Sequence, residues 1–436
     1  MHQTVVLLRR RAAQAELDAV GGAGAPVAAA APAATAARLA ALLNATIVRA
    51  SPSVAAHNGG LSAASAGAGG LDFFLLNVPL ADARALLAAD PAVEAFEANA
   101  PLRLSFSESA PSASLDRIDQ RTLPLDGVFR FAADGWAVDA YVLDSGLRSS
   151  HSEFAGRVVS GANYAPDRAE GPGGDTADCS GHGTHVASLL AGKTLGVAKR
   201  ATLIPVRIYD CSDEGSLASA LLGIDYTLTR MASSGRRAVI NLSWGGSASP
   251  TLVAAIARLA SAGAVVVAAA GNDSIDACAT SPANAPGALA VGSAAIDDSL
   301  SSFSNYGPCV GVVAPGEYVV GASYTSDNGY VRMSGTSMAS PLAAGTAAVA
   351  LQLDPTSSAA AVRARIVCGA TLGAVHDAPP PPAAPTTTKL LFSDPSRWDS
   401  TSCAVSSGAA RATPPPAALA LLAVAVAHAL RARWGR

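Results

Sequence analysis

The sequence predicts an α/β fold: a mainly parallel sheet covered by helices, preceded by a small α+β unit. Three observations predict it. From residue 114 to about residue 391, short apolar runs alternate with helix-like segments, as in a chain of βαβ units. Those runs are apolar at successive positions, so both faces of each strand are buried. Half of the 436 residues are hydrophobic and only 14% are charged, which suffices for a large core.

Residues 1–106 form the small unit. "TVVLL" reads as a strand and "ATAARLAALLNA" has helical spacing. A Gly/Ala/Ser loop, residues 58–70, leads to a second strand, "DFFLLNV". "PLADARALLAAD" is a helix opened by Pro79 and closed before Pro91. "AVEAFEANAPLRLSF" then reads as extended. The polar stretch "SESAPSAS", residues 107–114, is expected to be a linker and a processing region. Residues 115–393 carry the sheet, through "WAVDAYVLD", "ATLIPVRIYD", "RAVINLSW", "AGAVVVAAAGN" and "ALAVGSA". A Pro-rich connector occupies residues 376–387. A low-complexity linker is expected at residues 394–416, and a hydrophobic segment with a basic end at residues 417–436.

Bulk properties exclude some roles. The net charge is −3 and no basic stripe is present, so a nucleic-acid partner has no support. The six cysteines form no CxxC pair, which removes zinc-ribbon and thioredoxin-like sites. Their even count and wide spacing suit disulfides in an oxidising compartment. "MHQTVVLLRRR" has too short an apolar run for a signal core. Ala417–Leu430 is an apolar run below the roughly 20 residues of a spanning helix, so it is either a short anchor or an apolar tail.

Four residues carry chemistry. Asp144 ends a strand, where open α/β sheets place their sites. His182 lies between Gly181 and Gly183 at the start of an apolar helix, whose N-terminus favours the neutral ring of a general base. His185 reads as structural. A metal role for this His pair ranks below the base, because no third ligand cluster and no HExxH accompany it. Asn272 follows a strand, where its amide can donate to a developing oxyanion. Ser337 sits in "SGTSMASPLAAG" at the mouth of a helix, with Pro341 expected in the first turn or so. The motif is GxSxA, which counts against the GxSxG elbow of lipases. Asn241 and Asn272 also match the glycosylation pattern, but both follow buried strands; Asn44 is the better acceptor.

The blocks "YVLDSGL", "GHGTHVAS", "AAAGN" and "SGTSMASP", in this order, resemble the four active-site blocks of the subtilisin-like serine proteases (subtilases, peptidase S8). "DCSGHGTHVA", "VRIYDCSDEGS" and "SSFSNYGPC" resemble the proteinase K branch. Residues 4–105 resemble, more weakly, the inhibitory propeptide of that family, of the inhibitor I9 type. The resemblance implies a three-layer αβα domain and a ferredoxin-like propeptide. It implies an endopeptidase in which Ser337 is the nucleophile, His182 the base, Asp144 its orienting carboxylate and Asn272 an oxyanion donor. Ser212–Gly215 and Ser243-Trp244-Gly245 would bind the substrate as an added strand, with Trp244 walling an apolar P1 pocket. Cys179 with Cys211, and Cys278 with Cys309, would be disulfides; Cys368 and Cys403 pair only by parity.

No cofactor is implied for catalysis. A structural calcium ion is implied at Asp116, Asp119, Gln120 and Asp126. The more widespread calcium site uses an aspartate where this chain has Gly311, so that site is expected to be weakened or absent. Leu342 replaces a usual histidine at a packing position. The expected partners are protein or peptide substrates and the chain's own propeptide as inhibitor. The expected state is a monomer, and the location extracellular or at the cell surface. The alternatives are a propeptide-sealed, non-proteolytic binding protein of the same fold and, more remotely, a lipase or esterase.

Overall fold

The computed structural model describes residues 4–8, 30–45, 47–50, 73–98, 106–109, 112–154, 156–167, 170–377 and 386–398. It divides into two compact units, Met1–Leu102 and Arg103–Arg436, each taken by itself below. The first unit runs β1 (Thr4–Leu8), α1 (Ala30–Leu42), β2 (Ile47–Ala50), β3 (Phe73–Leu76), α2 (Leu80–Ala89) and β4 (Val93–Ala98). Every pairing is antiparallel, in the order β2-β3-β1-β4, which is the ferredoxin-like arrangement. Val6, Leu39, Leu76 and Leu87 fill its core. The edge strand β2 has no counterpart in the sequence reading. Its four residues are too few to display an alternation.

The second unit opens with β5 (Phe106–Ser109), α3 (Ala113–Ile118) and β6 (Val128–Phe131). Then come β7 (Val138–Asp144), β8 (Ala162–Asn163), β9 (Gly171–Pro172), α4 (His182–Ala191) and β10 (Thr202–Arg207). They are followed by α5 (Leu217–Ser234), β11 (Arg237–Leu242), β12 (Gly246–Ser247), α6 (Pro250–Ser261) and β13 (Val265–Ala269). The described part ends with β14 (Thr280–Ser281), β15 (Ala288–Ala294), β16 (Val310–Pro315), β17 (Val319–Ala322), β18 (Tyr330–Met333), α7 (Thr336–Leu353) and α8 (Ala359–Gly369).

Eight strands make the central sheet, in the order β16-β15-β13-β11-β7-β10-β8-β9. All neighbours are parallel except the edge pair β8 and β9. The pleat distributes β7 between two cores. Ala140 and Val142 pack with Val186, Leu190, Met338 and Leu342 of α4 and α7. Tyr141 and Leu143 pack with Ile224, Met231, Ile256 and Leu259 of α5 and α6. All seven residues of β7 are buried. The sheet is thus sandwiched between helices, as the two-sided apolar strands predict. Leu342 is fully buried, in keeping with a packing role.

Two boundaries differ from expectation. Residues 107–109, assigned to the linker, belong to β5 and pair antiparallel with β6, Ser107 opposite Arg130 and Glu108 opposite Phe129. Backbone ladders form without an apolar side-chain pattern, so composition hides such a strand. Residues 394–398, assigned to the low-complexity linker, pack on α8. The Trp398 ring lies so close to Gly369 that a Cβ there would meet it at 2.4 Å, and the indole donates to Phe392 O at 3.1 Å. The apolar run 417–430 lies outside the described residues. Among those described, no helix is long and apolar enough to cross a membrane.

Arg117 of α3 ties the start of this unit to its far side. Its guanidinium is fully buried and grips Asp298 bidentately, at 2.6 and 2.8 Å, while Nη1 donates to Gln120 O at 2.9 Å. Removing one partner of such a pair leaves a buried charge and costs about 3–5 kcal/mol. Asp298→Ala should lower stability by that amount in denaturant unfolding. The double change Arg117→Met with Asp298→Ala should recover most of the loss.

Candidate active site

Three adjacent parallel strands, β7, β11 and β13, deliver polar residues to one edge of the sheet. Asp144 is the last residue of β7, Asn241 and Ser243 close β11, and Asn272 follows β13. His182 opens α4. Gly181, its N-cap, has φ +106°, and a Cβ there would lie 2.5 Å from the Tyr324 ring, so only glycine fits the turn. Gly183 presses on the Asp144 loop; its Cβ would sit 2.2 Å from Gly146 O.

These contacts bring the imidazole onto the carboxylate. His182 Nδ1 lies 2.7 Å from Asp144 Oδ1, and the Asp144 side chain is 2% exposed. Burial alone would lower the pKa of His182. The charge and hydrogen bond of Asp144, helped by Asp213 and Asp178, outweigh it and raise the ring above its ordinary 6.5. His185 is the opposite case. Burial pushes it down to about 4, and its Nε2 donates to Val319 O at 3.1 Å while Nδ1 is buried without a partner. It is a neutral ring tying α4 to β17.

Asp178, which the sequence reading passed over, organises the junction. Its Oδ1 accepts from Ser145 Oγ at 2.9 Å, Ser180 N at 3.1 Å and Gly181 N at 2.8 Å. Its Oδ2 accepts from the backbone and hydroxyl of Thr184, at 2.8 and 2.5 Å. Ser145 Oγ in turn accepts from Gly183 N at 2.9 Å. An aspartate just ahead of a helix start is the signal that could have revealed it. The disulfide Cys179–Cys211 joins this loop to the Ser212–Gly215 segment. Cys278–Cys309 is also formed, and Cys368 is disulfide-bonded; Cys403 lies outside the described residues.

Ser337 lies in the first turn of α7, where its N–H has no intrahelical acceptor. Asn272 Oδ1 accepts from Thr336 N at 2.8 Å and Thr336 Oγ1 at 2.9 Å. That orients the amide and leaves Nδ2 without a protein acceptor. Asn272 Nδ2 and Ser337 N both border the space above Gly335, 3.4 and 3.6 Å from where a Cβ would be. The Ser337 hydroxyl donates to Ser243 O at 2.9 Å, and Ser243 Oγ donates back to Ser337 O at 2.9 Å.

Pro341 explains the second bond. It stands early in the second turn and has no N–H for the Ser337 carbonyl. Ser243 supplies the missing donor, and is itself held by Asn241 Nδ2 at 2.8 Å. Asn241 Oδ1 accepts from Ser340 at 2.7 Å, and Asn241 is fully buried, which removes it as a glycosylation site.

The expected substrate segments flank a cleft of about 420 Å³, lined by Tyr209, Gly215, Leu217, Trp244, Gly245 and Leu252. Ser212–Gly215 is an exposed turn held by Asp210, whose Oδ1 accepts from Ser212 N at 2.8 Å and Glu214 N at 2.9 Å. The Trp244 indole donates to Leu143 O at 2.8 Å and stands edge-on to Tyr209, so its wall is pinned.

The proposed calcium ligands are close to one another but partly engaged. Asp116 accepts from Asp126 N at 3.3 Å and Gly127 N at 2.8 Å, and Asp126 pairs with Arg130 at 2.8 Å. Asp119 Oδ1 and Gln120 Oε1 are buried with no hydrogen-bond partner. Burial pushes the Asp119 carboxyl up to about 6. Two orphaned buried oxygens beside further carboxylates fit a hard cation. Among the described residues, no three His, Cys, Asp or Glu side chains by themselves form a metal cage. At Gly311 a Cβ would meet the Leu289 side chain at 2.6 Å.

Asp178→Asn would face backbone N–H groups with an amide that cannot accept at both ends. It should lower stability by about 1.5–3 kcal/mol. It should also move the His182 titration, followed by NMR, to lower pH, because a neighbouring negative charge is lost.

With this geometry in hand, comparison with known proteins is direct. Residues 140–392 match the subtilase family, peptidase S8. The chain is 45% identical over 294 residues to an extracellular serine proteinase of Thermus sp. (strain Rt41A), covering 67% of this chain and 70% of that one. It is 40% identical over 336 residues to the alkaline serine exoprotease A of Vibrio alginolyticus, covering 76% of this chain and 59% of that protein. The crystal structure of a cold-adapted subtilisin-like serine proteinase aligns with a TM-score of 0.60 and 40% identity, over 66% of this chain and 99% of that one. The chain belongs to the subtilase family of serine proteases.

Proposed function

We propose that the chain hydrolyses internal peptide bonds through an acyl-enzyme, using Asp144, His182, Ser337 and Asn272. The observation that carries this reading is the 2.7 Å contact of His182 with a buried Asp144, on the same sheet edge as an amide whose Nδ2 has no acceptor. Subtilases need no catalytic cofactor, so the work falls to these side chains.

Ser337 Oγ leaves Ser243 O and attacks the scissile carbonyl, and His182 Nε2 takes its proton. Asp144 holds Nδ1–H and stabilises the imidazolium. Asn272 Nδ2 and Ser337 N–H meet the oxyanion, aided by the positive end of α7. His182 then protonates the leaving amine, and water attacks the ester by the same route in reverse. The base must be neutral, so turnover rises as pH passes upward through the raised pKa of His182. Substrate lies along Ser212–Gly215 and Ser243–Gly245 as an added strand, its backbone N–H on Ser243 O, with Trp244 as an apolar wall.

The ferredoxin-like unit acts as an inhibitory propeptide. Its expected cleft-filling strand, residues 97–106, lies mostly outside the described residues. The disulfides and the extracellular Thermus relative support action outside the cell or at its surface, where the chain is proposed to act as a monomer. Asp116, Asp119, Gln120 and Asp126 would hold calcium, which would neutralise their charge and brace the N-terminal segment.

The second reading, a sealed binding protein, draws on the Ser337 hydroxyl being engaged with Ser243 rather than with His182. A fluorophosphonate probe separates the two. The purified chain should label, and Ser337→Ala should not; an unlabelled parent supports the sealed form. Asn272→Ala should cut kcat by about two to three decades with little change in KM, measured on a chromogenic peptide. Calcium should raise the thermal midpoint of the Ser337→Ala protein, and Asp119→Asn should abolish that rise.

A further inference from the structure

Among the described residues, a second cleft carries charge of one sign only. It is about 480 Å³ and is bordered by Ala288, Leu289, Gly311, Val367, Arg363 and Lys389. Among the described residues, no aspartate or glutamate lines it. Arg363 projects from α8, and its Nη1 is buried without a hydrogen-bond partner. None of its other N–H groups meets an acceptor among the described residues, and the Lys389 ammonium has no ion pair there.

This is an unfavourable arrangement as it stands. A guanidinium does not shed its proton in a protein, so burial cannot be relieved by neutralisation. Burial is the sole influence on Arg363 and it disfavours the charged form; no carboxylate acts against it. The side chain is half-buried, and the Nη1 that is out of water has nothing to bind. Elsewhere in this unit the buried or half-buried arginines have acceptors: Arg117 grips Asp298, Arg157 donates to Ala191 O at 2.6 Å, and Arg207 pairs with Asp167 at 3.2 Å. Arg363 departs from that rule beside a cleft large enough for a small ion. Gly311 borders the same cleft.

We propose that this cleft is an anion site, in which Arg363 and Lys389 bind an oxyanion of the phosphate, sulfate or carboxylate class. The guanidinium presents its forked donors to two oxygens, and the ammonium supplies a point charge. The bound ion stabilises the fold by mass action, since the unfolded chain has no such site. The proposal is independent of the proteolytic reading and is tested on a protein that cannot digest itself.

The test is thermal unfolding of the full-length Ser337→Ala chain at constant ionic strength in chloride, titrated with inorganic phosphate and, separately, with succinate. A saturable rise in midpoint with either probe is expected, and the more effective probe identifies the oxyanion class. Arg363→Met should weaken the response roughly tenfold or more, and Lys389→Ala should weaken it less. The variant Arg363→Met should also change sign. In chloride alone it should be more stable than its parent, because an unpaired buried charge is gone, and in saturating phosphate or succinate less stable. A rise of equal size in parent and Arg363→Met is a general salt effect and overturns the proposal. So does no rise with either probe, or an Arg363→Met protein less stable than its parent in chloride alone.

Discussion

The contact between Asp144 and His182 governs the arrangement of the site. Asp144 is fixed by a strand buried on both faces, so it cannot move toward the ring. The ring must come to it, and the chain solves this with backbone. Gly181 permits the turn, Gly183 permits the approach, and Asp178 gathers the freed N–H groups of the loop. A buried carboxylate then sets the charge preference of the imidazole, and the disulfide at Cys179 carries the same loop to the edge where substrate is proposed to lie. Loss of this junction would leave the rest of the sheet intact and the proposed site without its base.

Much of the architecture was legible because parallel strands buried on both faces have little choice of residue. "VDAYVLD", "TLIPVR" and "VVVAA" are strands in the structure with boundaries close to those expected. The site residues were legible as types in settings: an acid at a strand end, a histidine between glycines, a serine at a helix mouth. Local chemistry supplied those cues. What stayed hidden was long-range or carried by backbone. Strand β5 pairs with β6 through its main chain, and Trp398 docks on Gly369, 29 positions earlier. Nor does a sequence disclose that Arg117 needs Asp298 or that Arg363 lacks an equivalent, because partnership is a property of the fold.

The serine block shows the difference most clearly. Pro341 reads as a tolerable helix residue near an N-terminus. In the structure it withholds a hydrogen bond from the carbonyl of Ser337, and a serine from another strand answers. That serine is fixed by a buried asparagine, which is fixed by Ser340 on the same helix as the proline. The circuit closes between α7 and the end of β11; motifs single out its residues but not the bonds that join them.

One carbonyl in that circuit has two claimants. Ser243 O now accepts the hydroxyl of Ser337, and in the proposed complex it accepts a backbone N–H of the incoming strand. A carbonyl oxygen has two lone pairs and can accept both donors, but the proposed attack needs the hydroxyl turned toward the imidazole. In that reaction the nucleophile starts out tethered to main chain, and reaching its base costs it that bond.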